Sequence, residues 1–262
     1  MRVFVVVILS ILVGTATAEA RGRKSRSEST QQRDKVKKPS RSKQIAVRED
    51  KDREDRKPSR DRGAQSVGVP WSGRLLNATR LRVGDGAHIR RPYRAWGTRT
   101  TVDFTQRAIE ETIELFPKAH VLAIGDISAQ GGGQISDHQS HQSGRDVDLG
   151  LYYKRKPNGY PTGFVNATED NLDCAAMWTL LSKFVSTANK DGGVQVIFLD
   201  HDVQGIIYRW ARDHGVSDRK LSRIFQYAHG RGAGAGLIRH VRNHANHIHV
   251  RFRCANADGN CR

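Results

Sequence analysis

Cysteine, long apolar runs and acidic residues are all scarce in this chain, and each scarcity excludes something. Only 3 cysteines occur among 262 residues. No CxxC pair is among them, so neither a cysteine zinc cluster nor a thioredoxin-type redox pair is available. The one extended apolar stretch, Val3 to Val13, spans 11 residues, short and wrongly flanked for a transmembrane helix, with an uncleaved anchor as the alternative to a signal-peptide core. Against 44 Lys and Arg stand 27 Asp and Glu, giving a formal net charge of +17 and a pI near 10.3. Such an excess favours polyanions: nucleic acid, anionic membranes or acidic wall polymers. No GxSxG elbow surrounds Ser140 or Ser143, so the usual context of a serine hydrolase is missing. The glycine-rich run from Gly230 to Gly236 lacks the strand–turn–helix setting of a phosphate loop. It reads as a surface loop.

What is present falls into three parts. Met1-Arg2, the apolar run and either Ala16-Thr17-Ala18 or Ala18-Glu19-Ala20 make residues 1–20 a predicted secretory signal peptide. An exported chain points away from nucleic acid, and no integral span is expected after cleavage. Residues 21–66 are expected to be a basic disordered tether. From Arg21 to Arg62 there are 17 basic and 8 acidic residues, with too little apolar surface to offset the entropy of ordering. Such a tether can associate electrostatically with anionic envelope material or act as a solvated linker. Residues 67–262 are expected to hold the folded domain, beginning near Gly68-Val69-Pro70-Trp71. In an oxidising compartment Cys254 and Cys261 can close a small C-terminal loop, while Cys174 lies in a helical pattern and is expected in the core.

Periodicity supplies the elements of that domain. Phe104, Ala108, Ile109, Thr112, Ile113 and Phe116 recur at helical spacing from Asp103, with Thr101 or Asp103 as cap and Pro117 beyond the end. His120 to Ile127 and Val147 to Tyr153 read as strands. A loop is predicted from Lys154 to Thr168, a helix from Asn171 to Lys190, a strand from Val194 to Leu199, and a short helix from Val203 to Asp213. His247 to Phe252 is the last strand. Strands without regular βαβ units predict an α+β fold, with a mostly antiparallel central sheet and flanking helices.

The chemistry is concentrated in two short stretches, Asp137 to Asp148 and His244 to Val250. Residues two apart on a strand share a face. His247 and His249 therefore point one way while Ile248 and Val250 point into the core, and Asp146 shares a face with Asp148. If the two strands are neighbours, imidazoles and a carboxylate converge, which is the donor set zinc commonly takes with an open fourth position. His141 precedes that strand, and Gly144 gives the intervening turn its freedom. Arg145, Arg239, Arg242 and Arg251 are candidates for gripping substrate carboxylates.

His141-Gln142-Ser143-Gly144-Arg145-Asp146-Val147-Asp148 together with His247-Ile248-His249-Val250 resembles the HxxxxxxD and HxH signature of the lysostaphin, D-Ala-D-Ala metallopeptidase and sonic hedgehog group. Within that group Ile124-Gly125-Asp126, the paired His138 and His141, His244 and the Val250-to-Cys254 stretch are similar to the penicillin-insensitive murein endopeptidases. The resemblance runs from about Gly68 to Arg262. It implies His141, Asp148 and His249 as zinc ligands, with Asp146 outside the ligand set. His138 is implied on the metal or near it. His247 is implied as the histidine that stabilises an oxyanion or handles protons, and His244 as the general base. It also implies a C-terminal disulfide.

The expected function is then zinc-dependent, serine-independent hydrolysis of peptide cross-links in peptidoglycan, at the D-alanyl–meso-diaminopimelyl bond, in the periplasm. No histidine occurs from Lys154 to Asp173, so the Asp-x-x-His pair that can supply a second metal in these enzymes has no counterpart, and one Zn²⁺ is expected. A non-catalytic zinc-containing wall-binding protein is the alternative, as is a D,D- or L,D-carboxypeptidase on the same scaffold.

Overall fold

The computed structural model describes residues 63–262. The predicted signal peptide and all but the last four residues of the predicted tether lie outside them. The chain enters through strand β1 (Gln65–Val69), which pairs antiparallel with β2 (Ser72–Leu76). A second small ribbon joins β3 (Thr79–Arg80) to β5 (Trp96–Gly97). Between them lies β4 (Ala87–Ile89), one edge of the main sheet.

That sheet has six strands. With β6 (Leu122–Ile124), β7 (Asp146–Leu149), β8 (Val194–Phe198), β9 (Ile238–Arg239) and β10 (Ile248–Phe252), its order is β4-β6-β7-β10-β8-β9. The four central strands pair antiparallel, and each edge pair, β4 with β6 and β8 with β9, is parallel. The architecture is α+β with a mostly antiparallel sheet, as the sequence predicts. The last strand is inserted at the centre, between β7 and β8, so the C-terminal segment completes the middle of the sheet.

Four α-helices occur among the described residues: α1 (Arg99–Leu115), α2 (Cys174–Val185), α3 (His201–Asp213) and α4 (Asp218–Ile224). Helix α1 starts four residues before the predicted Asp103. Thr98 is its cap, accepting from the Thr101 amide at 3.2 Å, and the Thr101 hydroxyl is buried against Thr98. A first turn made of Arg and Thr carries no apolar period to betray it. Helix α2 is capped by Asp173, whose side chain accepts from the Ala176 amide at 3.1 Å. Cys174 opens α2 as a free, half-buried thiol rather than a core residue.

Alternation divides the central strands cleanly. Ile248, Val250 and Phe252 of β10 and Val147 and Leu149 of β7 are fully buried on one face. Phe252 lies 6.2 Å from the Phe104 ring of α1 and 6.1 Å from Phe184 of α2, so the two helices cover that face. Full burial of one such side chain contributes roughly 1.5–3 kcal/mol. The opposite face presents Asp146, Asp148, His249 and Arg251. The predicted strand from Val147 to Tyr153 stops at Leu149, because the next residue opens a gap for another group. A Cβ on Gly150 would lie 2.6 Å from the Tyr160 hydroxyl, and that hydroxyl accepts from the Ala123 amide at 2.8 Å, taking the place of a strand partner. The predicted strand over His120 to Ile127 is likewise reduced to three residues.

Cys254 and Cys261 form a disulfide. Among the described residues no helix is long and apolar enough to cross a membrane.

Candidate metal centre and active-site cleft

The register of β7 and β10 decides what meets what. His249 stands directly opposite Asp148, and Arg251 opposite Asp146. His141 arrives from the preceding loop in a left-handed conformation, φ 67°, which a non-glycine residue holds only when its surroundings over-determine it. Here they do. The His141 amide donates to Asp146 Oδ2 at 3.1 Å, and Gly144, also at positive φ, turns the chain back where a Cβ would strike Leu75.

Each imidazole is oriented through one nitrogen and left open at the other. His141 Nδ1 donates to the Ile127 carbonyl at 3.0 Å, so Nε2 is bare. His249 Nε2 donates to Asp146 Oδ1 at 3.0 Å, which turns Nδ1 toward Asp148. His138 Nε2 donates to Asp126 Oδ2 at 2.9 Å, which turns Nδ1 toward Asp148 at 3.8 Å. Buried carboxylates or carbonyls behind imidazoles are how metal-binding histidines are fixed in tautomer and direction. His138, His141 and Asp148 each offer one ligand atom, and these lie within 4.8 Å of one another.

Asp148 Oδ1 is the focus. It lies 3.3 Å from His141 Nε2 and 3.2 Å from His249 Nδ1, yet neither Asp148 Oδ1 nor His141 Nε2 has an aligned hydrogen bond, and both are buried. These atoms are close without being aligned on one another. Their separations match the edge of a tetrahedron with metal–ligand bonds of 2.0–2.1 Å, roughly 3.3 Å. An orphaned carboxylate oxygen beside an orphaned imidazole nitrogen, both buried, would be costly without such an occupant. The donor set therefore fits a zinc-sized cation.

Charge follows the same layout. Burial disfavours ionised Asp148, but His141 and His249 beside it hold its carboxyl well below the usual range. Asp146, buried too, is held down by His249, His141 and Arg251. Burial opposes charging His249, yet Asp146 and Asp148 push its pKa up to about 9. Burial lowers His244, and takes His247 down to about 4. The last two are neutral near pH 7. His247 Nε2 lies 4.0 Å from Asp148 Oδ1, its ring is stacked on Phe164 at 5.0 Å, and His244 is 4.7 Å away.

All six predicted site residues, His138, His141, Asp148, His244, His247 and His249, thus gather at one place. His138, Asp148, His244, His247 and His249 line a cleft of about 700 Å³, with His141 buried beneath it. Two contributors went unassigned in the sequence: Asp126, anchored by Arg91 at 2.6 Å and Arg94 at 3.0 Å, and Asp146. Alternation puts Asp146 on the same face as Asp148, but only the register of β7 against β10 sets it opposite Arg251; Asp126 is marked by the Ile124-Gly125-Asp126 resemblance without a role.

Arg145 is not available to substrate. It is buried and bonded to Ser66 Oγ and the carbonyls of Phe252 and Arg262, because its position on the chain turns it under the sheet toward the C-terminus. Arg239 donates to the Gly236 carbonyl and does not line the cleft. Ser143 is fully buried, which removes it as a nucleophile.

A mixed sheet with one face given to a helical core and the other to a histidine–aspartate cluster defines a protein with a catalytic-type cleft over a potential metal site. The chain belongs to the penicillin-insensitive murein endopeptidase family, whose model matches residues 67–221. It is accordingly a peptidase of murein, the peptidoglycan of the envelope. The match ends before His244, so the second half of the cluster is joined to the first by the geometry of β10 against β7. No curated protein matches the chain.

Proposed function

We propose that the chain is an exported, zinc-dependent endopeptidase that hydrolyses the D-alanyl–meso-diaminopimelyl cross-links of peptidoglycan in the periplasm. The observation that carries the metal assignment is the placing of His141 Nε2 at 3.3 Å and His249 Nδ1 at 3.2 Å from Asp148 Oδ1, with His141 Nε2 and Asp148 Oδ1 buried and without aligned partners. These three residues would hold one Zn²⁺. His138, aimed at the other Asp148 oxygen, stands beside them. Zinc bound there would supply Lewis acidity, bringing the pKa of a water to about 7 and polarising a peptide carbonyl.

The protein's own groups divide the remaining work. His244 donates Nδ1–H to the Arg242 carbonyl at 2.8 Å. A backbone carbonyl only accepts, so Nε2 of neutral His244 is bare and can take a proton. That makes His244 the general base, delivering the proton to the departing amine. His247 Nδ1 faces Asn246 Oδ1 at 2.6 Å, and a side-chain amide can rotate to present its NH₂ instead. His247 can thus expose either a lone pair or an N–H at Nε2, which suits it to hold a developing oxyanion. No serine takes part, so β-lactams have nothing to acylate.

The test is digestion of cross-linked muropeptide dimers by purified protein, read by mass spectrometry. Release of monomers, lost with chelator and with His141→Ala, is expected. Co-sedimentation with murein and no product in the presence of zinc would instead mark a binding protein, and loss of a terminal D-alanine alone would mark a carboxypeptidase.

A further inference from the structure

Four arginines line the cleft, Arg90, Arg91, Arg242 and Arg251, and their bonds divide them. Arg251 Nε is held by Asp146 at 2.6 Å, and Arg91 by Asp126 with Asp137 beyond it. The other two are open. Arg242 has no side-chain hydrogen bond or ion pair among the described residues. Arg90 donates only through Nε, to the Thr162 carbonyl at 2.8 Å, and lies over the Phe164 ring at 4.4 Å. Its terminal nitrogens have no partner among the described residues. Among the described residues, the acids lining the cleft are Asp137, paired with Arg91, and Asp148, so neither open arginine has a carboxylate of its own there.

Topology puts these two cations on opposite sides of the reacting centre. Arg90 directly follows β4, one edge of the six-stranded sheet, and Arg242 lies in the connection that leaves β9, the other edge. Asp148 and His249 lie on β7 and β10, the two middle strands. At about 4.8 Å per strand, each edge is roughly 10 Å from the middle strand nearest to it.

We propose that Arg90 and Arg242 are the specificity residues of the cleft, each gripping one substrate carboxylate on its own side of the scissile amide. The cleft thereby selects peptides that are anionic on both sides of the bond cut. This rests on the murein cross-link reading above, and the chemistry of that cross-link supplies both groups. The carbon bearing the scissile nitrogen carries a carboxylate, and the donor stem's own diaminopimelyl residue carries another beyond the D-alanine. A guanidinium takes such a group through two parallel N–H bonds, which an ammonium cannot reproduce.

The experiment uses the purified zinc-loaded chain and three muropeptide dimers: unmodified, amidated at the carboxylate beside the scissile nitrogen, and amidated at the donor diaminopimelyl carboxylate. Arg90→Ala and Arg242→Ala are each expected to raise KM on the unmodified dimer about tenfold to hundredfold with kcat little changed. Arg90→Lys and Arg242→Lys should recover little of it. On the dimer lacking the carboxylate it serves, each alanine variant should match wild type, and the two arginines should map to different dimers. Equal losses on all three dimers, or variants that handle the unmodified dimer like wild type, would overturn the assignment. Wild type cleaving all three with one KM overturns the arginine assignment alone, whereas wild type cleaving none overturns the endopeptidase reading and this proposal with it.

Discussion

Asp146 and Asp148 stand two residues apart on one face of β7, both buried, both held ionised, and their surroundings are opposite in kind. At the Arg251 end of the strand, Asp146 receives donors on both oxygens: the His141 amide at 3.1 Å, His249 Nε2 at 3.0 Å and Arg251 Nε at 2.6 Å. At the cleft end, Asp148 Oδ1 has imidazole nitrogens at 3.2 and 3.3 Å and no aligned bond. A buried anion with all its partners is a structural strut. A buried anion with an oxygen left over can serve as a ligand. The difference teaches that identical residues on one strand face are separated by the bonds they have left over, which residue type and burial do not reveal.

Replacing the open carboxylate should have the largest effect on function. Asp148→Ala is expected to lose zinc and to cut muropeptide hydrolysis by on the order of 10³-fold or more, as loss of a metal ligand removes the Lewis acid. Its metal-free form should lose less stability than Asp146→Ala, because Asp148 shares the charge of His249 with Asp146 and no aligned hydrogen bond goes with its Oδ1. Chemical denaturation of the metal-free proteins checks the second half. The satisfied carboxylate should behave the other way. Asp146→Ala strands Arg251, His249 and the His141 amide together, and should cost about 3–5 kcal/mol of stability.

Conservative replacement sharpens the contrast. Asp146→Asn keeps an acceptor but not the charge, and zinc affinity should fall about 10- to 100-fold with the fold intact, the usual effect behind a metal-bound histidine. Competition titration against a zinc chelator measures it. His244→Ala should keep its zinc and lose about 10²- to 10⁴-fold in kcat, the range of a general base. A His244→Ala protein that hydrolyses normally would transfer the base role to His247.

The smallest effect concerns one proton. With its pKa raised to about 9 by the two aspartates, metal-free His249 is protonated at pH 7.5. Ligation through Nδ1 then expels about one proton, and apparent zinc affinity should rise about tenfold per pH unit up to that pKa. The same shift stabilises the metal-free fold fully below pH 6.5 and ceases to do so as pH rises through 9. Calorimetry in two buffers of different ionisation enthalpy counts the proton. Asp146→Asn should reduce that count, since it removes the charge that retains it.

Much of this arrangement was legible in the residues. Alternation separated His247 and His249 from Ile248 and Val250, and set Asp148 among the candidates, because a period of two on a strand is a property of the chain itself. Pairing was not legible: nothing local says that β10 inserts beside β7 in the register that opposes His249 to Asp148. Nor was the N-terminal turn of α1, built from threonines that bury hydroxyls. Arg145 shows the same limit. It stands beside the site in sequence and is buried beneath the C-terminus in space, while Arg90, 55 residues earlier in the chain, lines the cleft.

The central claim is that the open carboxylate holds the metal and the satisfied one holds the ligand. Zinc content after equilibration and dialysis, measured by atomic emission on wild type, Asp148→Ala and Asp146→Asn, tests it most directly. The expected result is one zinc per wild-type chain, none in Asp148→Ala, and an intermediate content in Asp146→Asn that is restored at higher free zinc. A full equivalent retained by Asp148→Ala would contradict it.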